Sequence, residues 1–272
     1  PTATQRYTRA EQMEAEKRYR AMSASQIDLL RDTIIAGMPG NVNEVYNDLS
    51  AFRERLSLYL KLSEDDLRRN FKYFLQRVVP VCEQYNVRLA LHPDDPPLKI
   101  LDIPRVVSTK HDVQQILEMV PSSKHGLTLC VGSYASRGDN DVIDIARSFA
   151  HRVHFVHCRN VQRLGKYTFV ESNHLDGNIN MFEVLSIMME EQHKRSQSSA
   201  NDESNEEVDI CMRPDHGHLM LADNEMKMKV NPGYPLYGRL KGLCELRGIQ
   251  FALKNAMRLN LSRDNQTLQS KL

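Results

Sequence analysis

The sequence has no long hydrophobic run and no excess charge of either sign, and these absences narrow the function classes. No apolar stretch approaches the about 18–20 residues that cross a bilayer, so we expect no membrane span. The 272 residues carry 36 Lys and Arg against 35 Asp and Glu, and the basic residues are spread along the chain. Such a balance provides no field that would attract nucleic acid, so we predict no nucleic-acid partner.

Cysteine is sparse, and three common phosphate-binding or catalytic motifs are missing. The five cysteines form neither an even set nor a C-x-x-C pair. This usage is typical of a reducing compartment, and we expect the protein in the cytoplasm. The phosphate-binding patterns G-x-G-x-x-G and G-x-x-x-x-G-K are absent, which counts against a nucleotide cofactor. The G-x-S-x-G pattern is also absent, which counts against a serine hydrolase.

Helical patterns fill the first part of the chain, and strand patterns begin at residue 87. Ser23 with Gln26 and Ser63 with Asp66 have capping-box form ahead of apolar residues at helical spacing. From residue 87 onward, short apolar runs alternate with helical patterns. Over the whole chain, the helical patterns cover about 44–61, 109–120, 139–150, 180–195 and 236–258. The strand candidates are 87–92, 127–132, 152–157, 167–172 and 208–213.

Strands that alternate with helices indicate βαβ units and a parallel sheet. The strand runs show little polar alternation, which suits strands covered on both faces. We therefore interpret 1–272 as one α/β domain with a helical segment over 1–86, β/α units over 87–258 and a polar tail over 259–272. The polar stretch 196–207 predicts a flexible surface loop. Apolar helix faces in the first segment favour a homodimer.

Ionisable side chains occur where the predicted strands end. In a parallel α/β sheet or barrel these ends lie on one face, which is where such folds place their active sites. Imidazole, thiolate and carboxylate groups together can ligate one divalent ion. Each residue alone also has a structural interpretation, as a satisfied polar side chain or, for the cysteine, a small hydrophobe. The candidate metal ligands are His92, Cys130, His157 and Asp215.

Two arginines, Arg159 and Arg213, lie on the same predicted rim. A guanidinium there can hold a carboxylate or phosphate with two parallel hydrogen bonds. It can equally form a rim salt bridge to Asp94 or Asp95, and both interpretations remain open. His154 points to the opposite side of its strand from the candidate ligand and is predicted to be structural.

Five motifs occur in a distinctive order: HPDDPP at 92–97, CVGSY at 130–134, HCRN at 157–160, MRPDHGH at 212–218 and NPGYPLYGRLKGLCELRGI at 231–249. Together they make the chain similar to the mannonate dehydratase family of bacterial hexuronate breakdown, from about residue 20 to 258. The resemblance implies a TIM barrel, an Mn²⁺ or Fe²⁺ ion and a small sugar-acid substrate. The implied reaction removes water from D-mannonate and gives 2-keto-3-deoxy-D-gluconate.

The resemblance also implies roles for individual residues. It makes the four strand-end residues the metal ligands and adds His216 and Tyr234 as acid–base candidates. Arg159 and Arg213 become contacts to the substrate carboxylate. The reaction removes a proton beside a carboxylate and expels a hydroxyl from the next carbon, so it needs a base, an acid and positive charge. A divalent ion supplies Lewis-acid stabilisation of the negative charge that develops.

The strand series departs from the family at its beginning. The family has an N-terminal segment that supplies the first three barrel strands, whereas here five strands can be counted and they begin at residue 87. An eight-stranded barrel cannot close with five strands, and the first residue is Pro1, so we expect a fragment or an incompletely represented chain. Two alternatives stay open. One is a divalent-metal sugar isomerase or epimerase on a TIM barrel, against which the cysteine argues, and the other is a truncated non-catalytic paralogue.

Overall fold

The computed structural model describes residues 6–36, 49–199, 209–225, 230 and 233–269. These residues fall into two compact units. The first lies within Pro1–Asn70 and Lys99–Val106, and the second lies within Phe71–Leu98 and Val107–Leu272. All the candidate site residues belong to the second unit.

Four helices precede the first strand in the described residues: α1 Arg9–Ala21, α2 Ala24–Ala36, α3 Leu49–Tyr59 and α4 Glu64–Gln84. Both predicted capping boxes are confirmed. The side chain of Gln26 accepts from the Ser23 backbone at 2.8 Å, and Ser23 Oγ accepts in return at 3.3 Å. Ser63 and Asp66 exchange the same two bonds at α4. These bonds satisfy backbone donors that the first helical turn leaves unpaired. Residues 44–48 of the predicted helix over 44–61 lie outside the described residues.

The described strands form one parallel sheet and one antiparallel ribbon. The strands are β1 Leu89–Leu91, β2 His125–Cys130, β3 Val153–His157, β4 Val161–Arg163, β5 Phe169–Glu171 and β6 Cys211–Arg213. Strands β1, β2, β3 and β6 pair in parallel in that order. The connecting helices are α5 Lys110–Met119, α6 Val131–Ala135, α7 Val142–Phe149, α8 Met181–Ser199, α9 Leu221–Glu225 and α10 Leu236–Gln269. The predicted α/β class with a parallel sheet is confirmed.

The run over 167–172 is a strand, but its predicted place in the parallel series is wrong. Strand β5 pairs antiparallel with β4, with Val161 opposite Glu171. Parallel neighbours need a crossover of about a dozen residues or more, and the links from β3 to β4 and from β4 to β5 are too short for one. The described residues therefore contain four parallel strands rather than five, and these do not close into a barrel.

Two helices are longer than the sequence pattern predicts. Helix α8 continues to Ser199, so the first residues of the predicted loop 196–207 are helical, and 200–208 lie outside the described residues. Helix α10 continues to Gln269, through most of the predicted tail. Polar residues lower helix propensity by only about 0.7 kcal/mol or less each, so a polar composition does not by itself end a helix. None of the helices that the structure describes combines the length and hydropathy of a membrane span.

The hydrophobic core lies between the parallel sheet and the helices α7, α8 and α10. All residues of β2 are buried, and β3 buries Val153 and Val156 completely. Ile145, Leu185 and Leu246 bring one side chain from each helix into the same cluster. Each buried aliphatic side chain contributes about 1.5–3 kcal/mol, so this layer holds the strands that carry the candidate site.

Two histidines with buried ring nitrogens lie in the parallel strands away from the candidate ligands. His125 begins β2 and is fully buried, and His154 in β3 has buried ring nitrogens, as expected for a structural residue. Burial lowers the pKa of His154 to about 4, and the positive charges of three arginines act in the same direction. These arginines are Arg88, Arg195 and Arg152.

We expect His154→Gln to reduce the loss of stability on acidification. Between about pH 6.5, the pKa of an unfolded histidine, and about pH 4, the unfolded chain binds a proton that the folded chain excludes. Stability therefore falls as pH falls through this window, with a slope of up to about 1.4 kcal/mol per pH unit for one proton. Glutamine keeps a polar side chain of similar length but does not titrate.

Urea unfolding of both proteins between about pH 7 and pH 4.5 measures this difference in slope. The matched control is His111→Gln, which changes an exposed histidine on α5 and should keep the wild-type slope. Equal slopes for wild-type and His154→Gln would contradict the assignment.

Candidate active site

Three of the predicted metal ligands come together at the carboxyl ends of the parallel strands. The sheet register places Cys130 of β2 beside His157 of β3, and His92 directly follows β1. One donor atom from each of these three residues lies within 4.8 Å of the other two. Bonds of about 2.0–2.3 Å to nitrogen and sulfur put the donors around one transition ion up to roughly 4.6 Å apart. The group therefore fits a single ion with little adjustment.

The fourth predicted ligand, Asp215, lies against the same group. Its Oδ2 atom is 3.6 Å from His157 Nδ1 and 4.0 Å from Cys130 Sγ. Its Oδ1 atom accepts a hydrogen bond from Arg213 Nη2 at 2.7 Å. The carboxylate is buried, so one oxygen is held by the arginine while the other faces the histidine and the cysteine.

The environment of the individual donors agrees with a metal centre. His157 Nδ1 is buried without a hydrogen-bond partner in the described residues, a situation that costs about 1–3 kcal/mol and that ligation would relieve. His92 Nδ1 lies 2.7 Å from the carbonyl oxygen of Pro93, and donation there leaves Nε2 free to ligate. Cys130 Sγ accepts from Ser133 Oγ at 3.0 Å. Burial raises the pKa of Cys130 to about 11, so a thiolate at this position needs a cation beside it.

The backbone at Asp215 is held in a strained, left-handed conformation. Its φ of 71° costs a non-glycine residue about 1 kcal/mol or more. His174 Nε2 donates to the carbonyl of Pro214 at 2.9 Å, and the amide of Gly217 donates to the carbonyl of Gly233 at 3.0 Å. These bonds hold the chain on both sides of the strained residue. His174 is not among the residues that the sequence pattern predicts.

The two acid–base candidates contact each other. His216 Nε2 and the hydroxyl of Tyr234 form a hydrogen bond of 3.1 Å, and the ring centroids are 4.9 Å apart in an edge-on arrangement. Gly233 has a φ of 82°, and a Cβ atom there would lie 3.4 Å from the His216 ring. Glycine therefore permits the turn that brings Tyr234 to the histidine. Partial burial raises the pKa of Tyr234, so its hydroxyl stays protonated near neutral pH.

Arg159 takes part in a buried ion-pair network. Its Nη1 atom lies 2.7 Å from Asp95 Oδ2, which confirms the salt-bridge interpretation. Its Nε atom lies 3.1 and 3.0 Å from the two carboxylate oxygens of Glu171, and Nη2 lies 2.5 Å from Oε1. Arg159 is only 4% exposed. Because two carboxylates already occupy its guanidinium, this geometry does not favour Arg159 as a contact to the substrate.

Arg213 remains accessible to a bound molecule. It ion-pairs with Asp215 at 2.7 Å, and its guanidinium carbon lies 5.9 Å from the centre of the Phe155 ring. The side chain of Arg213 is nevertheless 41% exposed. The arginine therefore offers positive charge beside the candidate ligands and toward solvent.

Glu171 is a site residue that the sequence pattern does not single out. It ends β5, and its Oε1 atom lies 3.1 Å from His216 Nδ1. This distance permits an ion pair, although the ring N–H is not aligned for a hydrogen bond. Burial favours the neutral acid, but the adjacent His216 and Arg159 outweigh it and lower the pKa of Glu171 to about 2. Its place at a strand end is the same signal that identified the candidate ligands.

Comparisons with known proteins agree on one family. A sequence profile of the family described as D-mannonate dehydratase (UxuA) matches residues 4–260. A mannonate dehydratase from Saccharophagus degradans is 42% identical over 240 residues, which cover 88% of this chain and 58% of that protein. A mannonate dehydratase from a Marinomonas species is 41% identical over 256 residues, which cover 94% and 63% respectively. The chain thus spans less than two thirds of the length of both relatives.

A solved structure is similar as well. The crystal structure of mannonate dehydratase from Streptococcus suis serotype 2 superimposes with a TM-score of 0.65 at 31% identity. The match covers 80% of this chain and 57% of that chain. The α/β architecture of the described residues is therefore shared with a solved member of this family.

We expect Cys130→Ser to weaken metal binding while leaving the fold intact. The change replaces an anionic sulfur donor with a neutral hydroxyl, and the three remaining donors would hold a transition ion poorly. Titration with Co²⁺ measures this, because a thiolate ligand produces a charge-transfer band in the near ultraviolet. The band should disappear, and the affinity should fall by about 10-fold or more.

The matched control is Cys244→Ser, which changes an exposed cysteine on α10 and should keep both the band and the affinity. If Cys130→Ser bound Co²⁺ as tightly as wild-type, Cys130 would be a core residue rather than a ligand.

Proposed function

The chain belongs to the D-mannonate dehydratase family, and on this premise we propose that it carries the active site of an enzyme that dehydrates D-mannonate to 2-keto-3-deoxy-D-gluconate. The supporting observation is one cluster that holds both a group of metal donors and an acid–base pair. Removing water from a sugar acid requires stabilisation of negative charge and transfer of protons. The cluster consists of His92, Cys130, His157, Asp215, His216 and Tyr234.

We propose that the first four of these residues would hold Mn²⁺ or Fe²⁺. When bound, such an ion supplies Lewis-acid stabilisation of negative charge on the substrate oxygens. Cys130 and Asp215 contribute the two anionic donors, and Ser133 holds the sulfur through its hydroxyl. The mixture of nitrogen, sulfur and oxygen donors suits first-row transition ions of this kind.

Arg213 is the proposed contact to the substrate carboxylate. Its side chain is partly exposed beside Asp215, and a guanidinium can hold a carboxylate through two parallel hydrogen bonds. This contact would orient the carbon that bears the departing proton and would oppose the charge that develops there. Arg159 is assigned instead to the network with Asp95 and Glu171, because three of its five N–H donors face these carboxylates and the side chain is almost fully buried.

The elimination breaks a C–H bond beside the carboxylate and a C–O bond on the next carbon. We propose that His216 takes the proton and that Tyr234 donates a proton to the departing hydroxyl, which leaves as water. The electrons of the C–H bond form the double bond of an enol, which becomes the ketone of the product. The 3.1 Å hydrogen bond between the two side chains then returns the proton from histidine to tyrosine. Both residues end the cycle as they began it.

We also propose that the parallel sheet is part of a (β/α)8 barrel. Strands β1 and β6 have no further partner on their outer edges among the described residues. Exposed edges are normally covered, and additional parallel strands at both edges could close a barrel with the site at its carboxyl face. We also keep as proposals the cytoplasmic location and the homodimer that the sequence predicts.

The same open edges favour a second candidate, a non-catalytic protein that binds metal without turnover. A site with an incomplete wall can keep its donors and still fail to exclude water from the substrate. The sugar isomerase alternative receives no such support, because Cys130, the residue that argues against it, belongs to the group of donors.

Product detection tests the proposal. D-mannonate is incubated with Mn²⁺ or Fe²⁺ and the expressed chain, and in parallel with a chimera in which the chain replaces the matching region of the Saccharophagus degradans relative. We expect a 2-keto-3-deoxy acid from the chimera, whereas an isomerase would form a product from which no water has been lost. A folded chimera that binds Co²⁺ but forms no keto-deoxy acid would refute the dehydratase proposal and support the non-catalytic candidate.

We expect His216→Asn to separate metal binding from turnover. The residue is assigned to proton transfer and not to ligation, so the Co²⁺ spectrum should be unchanged while kcat falls by about 10²–10⁴-fold. The control is His218→Asn, which alters an exposed histidine two residues further on and should keep normal turnover. Loss of the Co²⁺ spectrum in His216→Asn would make His216 a ligand, and normal turnover would make it structural.

A further inference from the structure

The proposed proton transfer requires His216 to present one particular nitrogen to Tyr234. A neutral imidazole carries its proton on either nitrogen, and the group on the other nitrogen decides which. The Nε2 atom of His216 faces the Tyr234 hydroxyl at 3.1 Å, and Nδ1 lies 3.1 Å from Glu171 Oε1. Asp215 Oδ2 also lies 3.8 Å from Nε2, which is too far for a hydrogen bond, so the nearest groups to the ring are a hydroxyl at one nitrogen and the Glu171 carboxylate at the other.

Glu171 is itself held firmly. Arg159 reaches both of its carboxylate oxygens through Nε at 3.0 and 3.1 Å, and reaches Oε1 again through Nη2 at 2.5 Å. The other side of the guanidinium binds Asp95 at 2.7 Å, and Arg159 is almost fully buried. Hydrogen bonds between charged groups are stronger than those between neutral groups, so neither side chain can rotate away without losing several strong contacts.

The β4–β5 ribbon brings Glu171 to this position. Val161 pairs with Glu171 across the ribbon, and the amide of Ser172 donates to the Asn160 carbonyl at 3.0 Å. The Asn160 side chain donates to the carbonyls of His174 and Ile179 at 2.9 and 2.8 Å. The ribbon follows β3 directly, so a strand end that carries a candidate ligand also determines where the glutamate lies.

We propose that Glu171 is a positioning residue whose carboxylate, clamped by Arg159, accepts the Nδ1 proton of His216 and so turns the Nε2 lone pair toward Tyr234. The Nδ1–Oε1 distance of 3.1 Å lies within hydrogen-bond range, and the buried Nδ1 has no other hydrogen-bond partner among the described residues. In other enzymes, a carboxylate is known to fix the tautomer of a catalytic histidine in this way. The inference rests on the proposed role of His216 in proton transfer.

The tautomer can be observed directly by NMR. In the Zn²⁺-loaded chain labelled with ¹⁵N-histidine, two-bond ¹H–¹⁵N correlations report which ring nitrogen carries the proton, and His216→Asn assigns the signal. We expect the Nδ1–H form of His216 in the wild-type chain. Glu171→Leu removes the acceptor that faces Nδ1, and we expect its ring to shift to the Nε2–H form, which a neutral imidazole without such a partner favours.

Two further variants separate positioning from a structural role. Glu171→Asp keeps the carboxylate and should retain mostly the Nδ1–H form. Glu190→Gln removes an exposed carboxylate from α8 and should behave as wild-type throughout. In whichever protein dehydrates D-mannonate, the chain itself or the chimera, Glu171→Leu should lower kcat by about 10–100-fold, with KM and Co²⁺ affinity nearly unchanged.

The outcomes distinguish this inference from the proposed function. An unchanged tautomer in Glu171→Leu overturns the inference, whatever the activity. If Glu171→Leu does not fold, a Glu171→Asp chain with the Nε2–H form refutes the inference, and one with the Nδ1–H form supports it. If D-mannonate is not dehydrated at all, the proposed function fails while the tautomer still tests Glu171.

Discussion

The pairing of β2 with β3 is the constraint on which the candidate site depends. Cys130 stands opposite His157 in this pair, and His157 stands opposite Arg213 in the next one, so three functional side chains occupy one row across the sheet. A slip of one residue would turn a whole strand's side chains to the other face. Such a slip is opposed by the buried residues of both strands, which pack against α7, α8 and α10. The hydrophobic layer and the candidate metal site therefore depend on the same register.

Charge around this row is divided into two groups with different surroundings. Arg213 and Asp215 form a pair in which the carboxylate is buried and the arginine is partly exposed. Arg159 is buried between Asp95 and Glu171, and the glutamate faces His216. Buried charges are costly unless they are paired, so each group must be nearly complete in itself. The first group faces the candidate metal ligands, and the second faces the acid–base candidates His216 and Tyr234.

The antiparallel ribbon of β4 and β5 departs from the parallel sheet and positions Glu171 near the candidate site. Strands β4 and β5 interrupt the alternation of parallel strands and helices between β3 and α8. The short link between β4 and β5 allows no crossover helix, so β5 runs back along β4. Glu171 therefore lies opposite Val161, close to the end of β3. Asn160 anchors the ribbon through its side chain at the point where β3 ends. The feature that breaks the predicted strand series is the one that places a carboxylate beside His216.

Local pattern determined much of this protein from the sequence alone. Capping residues marked helix starts, apolar runs marked the parallel strands, and strand ends identified His92, Cys130 and His157 as neighbours. Those features follow from chain order and the period of the backbone, which the sequence states directly. Only the tertiary structure decided the partners of Arg159, because Asp95 lies 64 residues away along the chain and Asp94 stands next to it as an equal candidate. Glu171 depended on the fold for the same reason, since its role comes from distances to Arg159 and His216 that no local pattern encodes.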